Sequence, residues 1–178
     1  MASVVLLRGV NVGGHRTFRP TDLARELRHL DMVNIGAAGT FVVRRSVRRA
    51  ALRAEIAGRL PFETEIMICG GKDVMGLLSR DFFEGRPDRR EIVRFVSLLS
   101  QAPRPGPALP LELPSPSRWL LRVLARQGPF VVGEYRREMK AIAELGRLER
   151  VLGVSATTRS WSTMEAIGKA LSGSEGGA

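Results

Sequence analysis

Between Ser3 and Cys69 the chain alternates apolar extended runs with helical spacing, strand–helix–strand–strand–helix–strand, and that order limits its fold more than any other feature. Ser3-Val4-Val5-Leu6-Leu7 is a continuous apolar run of strand length that gives way to glycine-rich sequence. Pro20 then starts a predicted helix over residues 20–30. Leu23, Leu27 and Leu30 recur at helical spacing, and Asp22 sits in the first turn, where proline and a carboxylate are both favoured. Met32 to Ala37 and Thr40 to Val43 read as two strands around a turn at Ala38-Gly39. Ser46 has a side chain suited to capping and predicts a helix from there to about Leu60, stopped by Pro61. Phe62 to Cys69 alternates, with Phe62, Thr64, Ile66 and Ile68 on one side.

That order predicts an α+β fold: a ferredoxin-like βαββαβ lobe over residues 1–87, with an antiparallel sheet and both helices on one face. Residues 88–172 are expected to form a smaller α+β lobe. Its predicted elements are a strand Ile92–Leu99, a hairpin of Trp119–Ala125 and Phe130–Tyr135 about Gln127-Gly128-Pro129, and helices Met139–Leu152 and Ser162–Leu171. A short helix over 72–78 follows Gly70-Gly71. Six of the ten prolines fall between Pro103 and Pro116, so residues 103–117 can donate few backbone hydrogen bonds and read as a rigid connector or an edge segment. Residues 173–178, rich in Gly and Ser, are expected to be a disordered tail.

Composition narrows the classes. One cysteine, Cys69, excludes a disulfide framework and a cysteine zinc site. The apolar opening is broken at Arg8 and lacks a basic leader, and no run reaches the length of a membrane span; a cytoplasmic protein without membrane contact is expected. With 28 Lys+Arg against 18 Asp+Glu the formal charge is +10, which favours anionic partners such as nucleic acid or a phosphorylated small molecule. The basic residues are almost all arginine, so a solvated, arginine-biased exterior is the plainer account of the same charge.

Gly9-Val10-Asn11-Val12-Gly13-Gly14-His15-Arg16-Thr17 lies between a buried strand and a helix, where backbone N–H groups can hold an anion. The spacing imitates a P-loop but places His15 at the phosphate lysine and Arg16 at the magnesium hydroxyl, which excludes a Walker-type site. A looser cradle of Arg8, Gly13, Gly14 and Arg16 stays open beside a plain turn in which Asn11 bonds to backbone.

Leu6-Leu7-Arg8-Gly9-Val10-Asn11-Val12-Gly13-Gly14 resembles the LLRG-[IV]-NVGG opening of a bacterial family known as domain of unknown function 1697. Thr158-Arg159-Ser160-Trp161-Ser162-Thr163 resembles that family's T-R-N-W-x-T stretch. The resemblance implies a ferredoxin-like lobe followed by a smaller α+β lobe, and no particular activity. Where the family has Ser-Gly-Asn this chain has Ala38-Gly39-Thr40, and Ser160 stands for an Asn, so polar groups of those positions are missing.

Candidate ligand-binding residues are therefore Arg8, Asn11, Gly13, Gly14, Arg159 and Trp161, with the two stretches expected to lie together around an anion or a bridging carboxylate such as Glu165. Arg45, Arg49 and Arg53 recur at i, i+4, i+8 on the predicted second helix and are the candidate nucleic-acid contacts; a solvated outer face explains them equally. His15 and His29 have no metal-spaced neighbours, so no metal and no cofactor are expected. Phe41 is expected in the core rather than on a base-stacking platform. The leading expectation is a non-catalytic binding protein for a phosphate-bearing partner, nucleic acid or nucleotide. The alternatives are an enzyme for a small anionic substrate held by Arg8, Asn11 and Arg159 in a cleft between the lobes, and a scaffold whose motifs are structural.

Overall fold

The computed structural model describes residues 1–101 and 105–173. The fold is α+β with antiparallel sheets, and the chain divides into two compact units: Met1–Ser79 together with the segment from Ser162, and Arg80–Trp161. The predicted boundary after residue 87 is thus replaced by one after Ser79. The last helix joins the first unit rather than the second.

In the first unit, β1 (Ser3–Leu7), α1 (Pro20–Glu26), β2 (Met32–Asn34), β3 (Thr40–Val43), α2 (Arg49–Ala57), β4 (Ile66–Gly70) and α3 (Gly71–Leu78) follow in sequence. The four strands pair antiparallel in the order β2-β3-β1-β4, so the first strand sits between the third and fourth, a split βαβ arrangement. Val5 and Leu7 of β1, Phe41 and Val43 of β3, Leu23 of α1 and Leu52 and Ile56 of α2 form one core, which places both helices on one face of the sheet. The alternate residues Val4, Leu6, Val42, Met67 and Cys69 are buried as well, so the other face is also covered. Helices α3 and α5 (Trp161–Ser172) approach closely in this unit: a Cβ on Gly168 would stand 2.6 Å from Leu78 Cδ1. With both faces covered, no sheet surface is left for stacking bases, and Phe41 is fully buried.

Helix α2 starts at Arg49, not Ser46. Arg48 occupies the cap position in extended conformation and no side chain caps the helix. The preceding residues are held by a tertiary alternative, Arg44 N donating to Asp31 O (3.2 Å) and Arg45 N to Leu30 O (3.2 Å).

The second unit is a five-stranded sheet, β6-β7-β8-β5-β9, built from β5 (Ile92–Leu99), β6 (Leu111–Leu113), β7 (Leu121–Gln127), β8 (Phe130–Arg136) and β9 (Ala156–Ser160), with α4 (Met139–Leu152) against it. It has more strands than the first unit's sheet. The proline-rich segment, read as a connector or an edge segment, supplies β6, whereas β9, which overlaps the Thr158–Thr163 stretch at residues 158–160, was not expected from sequence. Strand β6 is an edge strand flanked by Pro110 and Pro114, the place where missing N–H donors cost least. Phe95, Leu121, Val123 and Val131 meet Leu148 and Leu152 of α4 in its core. Pro103 and the tail from residue 174 lie outside the described residues. No described helix is long and apolar enough to cross a membrane.

Candidate functional site

The glycine loop of the first unit is organised by Asn11. Its Nδ2 donates to Ala37 O (2.8 Å), its Oδ1 accepts from Phe18 N (2.9 Å), and its own backbone is left-handed at φ 53°. Both ends of the amide therefore tie the loop to the β2–β3 turn and to the start of α1. Gly13 and Gly14, at φ 58° and 76°, form the exposed tip of a tight turn closed by His15 N donating to Val12 O (3.1 Å). Arg8 is half-buried; its backbone N donates to Glu65 O (3.1 Å) and its carbonyl accepts from Thr64 Oγ1 (2.5 Å).

The three arginines Arg45, Arg49 and Arg53 are all exposed, but they do not form one helical stripe. Arg45 precedes α2, and its Nη1 donates to His29 O (3.0 Å); Arg53 Nε donates to Ile66 O (3.3 Å). Arg45 instead joins Arg28, His29 and Arg44 around an open groove of about 590 Å³ in the first unit, with Asp31 as the one carboxylate lining it. Arg44 caps the last turn of α5 through Ala170 O (3.1 and 3.2 Å) and lies 3.5 Å from Asp31.

Arg159 and Trp161 belong to the second unit, whereas Arg8 and Asn11 belong to the first. Arg159 is only 8% exposed; Nη1 donates to Thr157 Oγ1 and to Thr158 O (both 2.9 Å), and burial lowers its pKa to about 10 without discharging it near neutrality. Trp161 meets Phe82 and Phe83 edge to face, with centroids 6.2 and 5.1 Å away. Its ring is part of an aromatic cluster.

A site that sequence reasoning missed lies on the same unit. Across β6, β7, β8 and β5, the directly paired residues Glu112, Arg122, Glu134 and Arg94 alternate in charge along one row of the sheet. Such cross-strand pairs of opposite charge favour the register. Arg122 Nε donates to Glu112 Oε1 (2.7 Å), and Arg86 and Arg122 lie 3.4 and 3.9 Å from Glu134 Oε2. Trp119, just before β7, holds two guanidiniums against its ring, Arg122 at 4.1 Å and Arg136 at 4.4 Å. Trp119, Arg122, Glu134 and Arg136 line a half-open cavity of about 500 Å³, with the loop of residues 84–91 contributing the exposed carboxylates Glu84 and Glu91 as well as Arg86 and Arg89. The signal available in sequence was the polar alternation Arg122, Glu134, Arg136 opposite the apolar Leu121, Val123 and Tyr135.

Among the described residues no group of three or more His, Cys, Asp or Glu side chains could hold a metal ion. Cys69 is buried, and burial with the nearby Asp73 carboxylate pushes its pKa up to about 12. A thiol so rarely ionised is a poor nucleophile. Native protein is therefore expected to leave an aromatic disulfide reagent unreacted at pH 8 and to release one equivalent of thiolate only after denaturation; prompt reaction of the folded chain would contradict this burial.

Comparison with known proteins then decides the family. A family model described as protein of unknown function (DUF1697) matches residues 1–118. The chain belongs to the DUF1697 family. The DUF1697 match includes the Leu6–Gly14 stretch and the loop over the cavity, and it ends before β7, β8 and Thr158–Thr163. The conserved bacterial protein SP0830 from Streptococcus pneumoniae has a similar structure, with a TM-score of 0.58 and 18% identity over 96% of this chain and 98% of that one. At that identity the likeness concerns the fold alone. The search of curated proteins gave no match to this DUF1697 chain.

Proposed function

We propose that this protein is a binding protein for a phosphate-bearing partner, with the nucleic-acid backbone as the class its first unit suits best. The observation that carries this is the groove in which Arg28, His29, Arg44 and Arg45 converge on about 590 Å³ of open space with one carboxylate among them. Arg49 and Arg53 extend the cationic surface along α2. Guanidiniums are well matched to phosphate oxygens, and such contacts position a strand without reading its sequence. Both faces of the first sheet are covered, so base stacking adds little there and affinity rests on charge.

Binding to unrelated single strands and duplexes is therefore expected to be weak, similar among sequences, and steeply dependent on salt. Each phosphate contact contributes about 0.7–0.9 to the slope of log affinity against log salt. Replacing Arg28, Arg45 and Arg49 together by Gln should lower that slope by roughly 2–3 for every sequence alike. Fluorescence anisotropy of labelled oligonucleotides over a salt series measures it. An unchanged slope in the triple variant moves the interface elsewhere; absence of binding at low salt removes the proposal.

A further inference from the structure

The cavity of the second unit has a rim fixed by the protein itself. Arg94 Nη2 donates to Arg86 O (2.8 Å) while its guanidinium lies 4.5 Å from the Phe83 ring centre. At the other end of the loop, Arg137 Nε donates to Arg90 O (3.0 Å) and Arg137 N to Glu91 O (2.8 Å). Two arginines thus clamp both ends of the 84–91 segment over the sheet.

Inside this rim Glu134 is held by two guanidiniums, but loosely. Glu134 is 4% exposed, yet its contacts to Arg86 and Arg122 are 3.4 and 3.9 Å, longer than the 2.7–2.9 Å usual for a charge-assisted hydrogen bond. The short bond from Arg122 goes to Glu112 instead. A buried carboxylate so loosely held gains from a further donor. Two residues along the same strand face, Arg136 is fixed by Nε donating to Trp119 O (2.9 Å) and by the indole ring. Neither Arg136 nor the exposed Arg89 has an ion-pair partner among the described residues, and both line the cavity. With Nε engaged, the two Nη groups of Arg136 form a pre-oriented fork for an oxyanion. The i, i+2 spacing on β8 sets the two complementary groups about 7 Å apart at their Cα atoms.

We infer that this cavity is a binding site for a small bipolar molecule. Its oxyanion, a phosphate monoester or a carboxylate, is received by Arg136 and Arg89, and its ammonium or amide N–H by Glu134. The site lies in the other unit from the arginine groove and stands or falls without it.

Calorimetric titration of the full chain with two matched pairs tests this: phosphoethanolamine against ethyl phosphate, and β-alanine against propionate. Saturation by one pair identifies the oxyanion. Within that pair the nitrogen-bearing member should bind about tenfold tighter, the value of one charge-assisted hydrogen bond. Glu134→Gln should abolish that preference without weakening the nitrogen-free member, because it removes a carboxylate from beside the oxyanion and frees the Arg86 and Arg122 guanidiniums. Arg136→Gln should weaken both members, and Arg89→Gln, at an exposed position that leaves folding intact, should do so in its place if the first variant misfolds. In a Trp161→Phe background Trp119 is the sole indole, so its emission gives a second readout of movement in the guanidiniums on its ring. No saturation by any of the four probes at millimolar concentration, retention of the preference in Glu134→Gln, or undiminished binding in both arginine variants would each overturn the assignment. Oligonucleotide binding by the groove should be unaffected by Arg136→Gln, which separates the two sites.

Discussion

Gly133→Ala is expected to destabilise the protein by about 3 kcal/mol or more and to destroy the cavity of the second unit. A Cβ at this position would collide with the Arg122 carbonyl and stand 2.8 Å from Phe95 Cε1. Neither neighbour can give way: one is backbone, and Phe95 is fully buried in the sheet core. The close approach arises from a β-bulge. Val123 opposes Gly133 while Ala125 opposes Val132, so Leu124 is an extra residue on β7. That extra residue brings Arg122 opposite Glu134 rather than Tyr135, keeps Leu121 and Val123 on the core face, and thereby builds the charged row under the cavity. Denaturant unfolding of the variant measures the cost. A loss below about 1 kcal/mol would show that β7 and β8 can part here without penalty.

The bulge also explains why the cavity was hidden in the sequence while the first sheet was not. Strands β1 and β3, the proline start of α1 and the Ala38-Gly39 turn are signalled by residues next to one another in the chain. Ser46 looked like a helix cap by the same local logic. Arg44 and Arg45 instead donate their backbone N–H groups to the carbonyls of Asp31 and Leu30, a contact across the fold that residue types near Ser46 do not announce. In the second unit the register of β7 on β8 depends on whether one residue is skipped. A plain hairpin about Gln127-Gly128-Pro129 pairs Arg122 with Tyr135 and gives no charged row. Strand β9 was missed because Ala156-Thr157-Thr158-Arg159-Ser160 has no apolar alternation; its Arg159 is nevertheless buried, held by Thr157 and the Thr158 carbonyl. Spacing alone groups Arg45, Arg49 and Arg53 on one helix face. Spacing cannot show that the helix starts after Arg45.

Asn11→Ala is expected to cost about 2 kcal/mol, from two losses that a companion variant separates. Asn11 adopts φ 53°, a left-handed conformation that asparagine tolerates better than alanine. Its amide also makes the bonds to Ala37 O and Phe18 N, which join the glycine loop to the β2–β3 turn and to the approach of α1. The half-exposed setting lets water replace part of each bond, so the two together contribute roughly 1 kcal/mol and the strain in alanine a similar amount. Asn11→Gly removes the strain but not the loss of the bonds, so it should recover about half of the deficit. Asn11→Asp keeps the acceptor for Phe18 N and loses the donor to Ala37 O, placing a carboxylate against a carbonyl oxygen, and should fall near the alanine variant. Chemical denaturation of the three proteins orders them. If alanine, glycine and aspartate all match the wild type within about 0.5 kcal/mol, the amide does not hold the loop. Asn11 would then be available to a ligand, and the glycine loop, not the second unit's cavity, would become the first place to look for one.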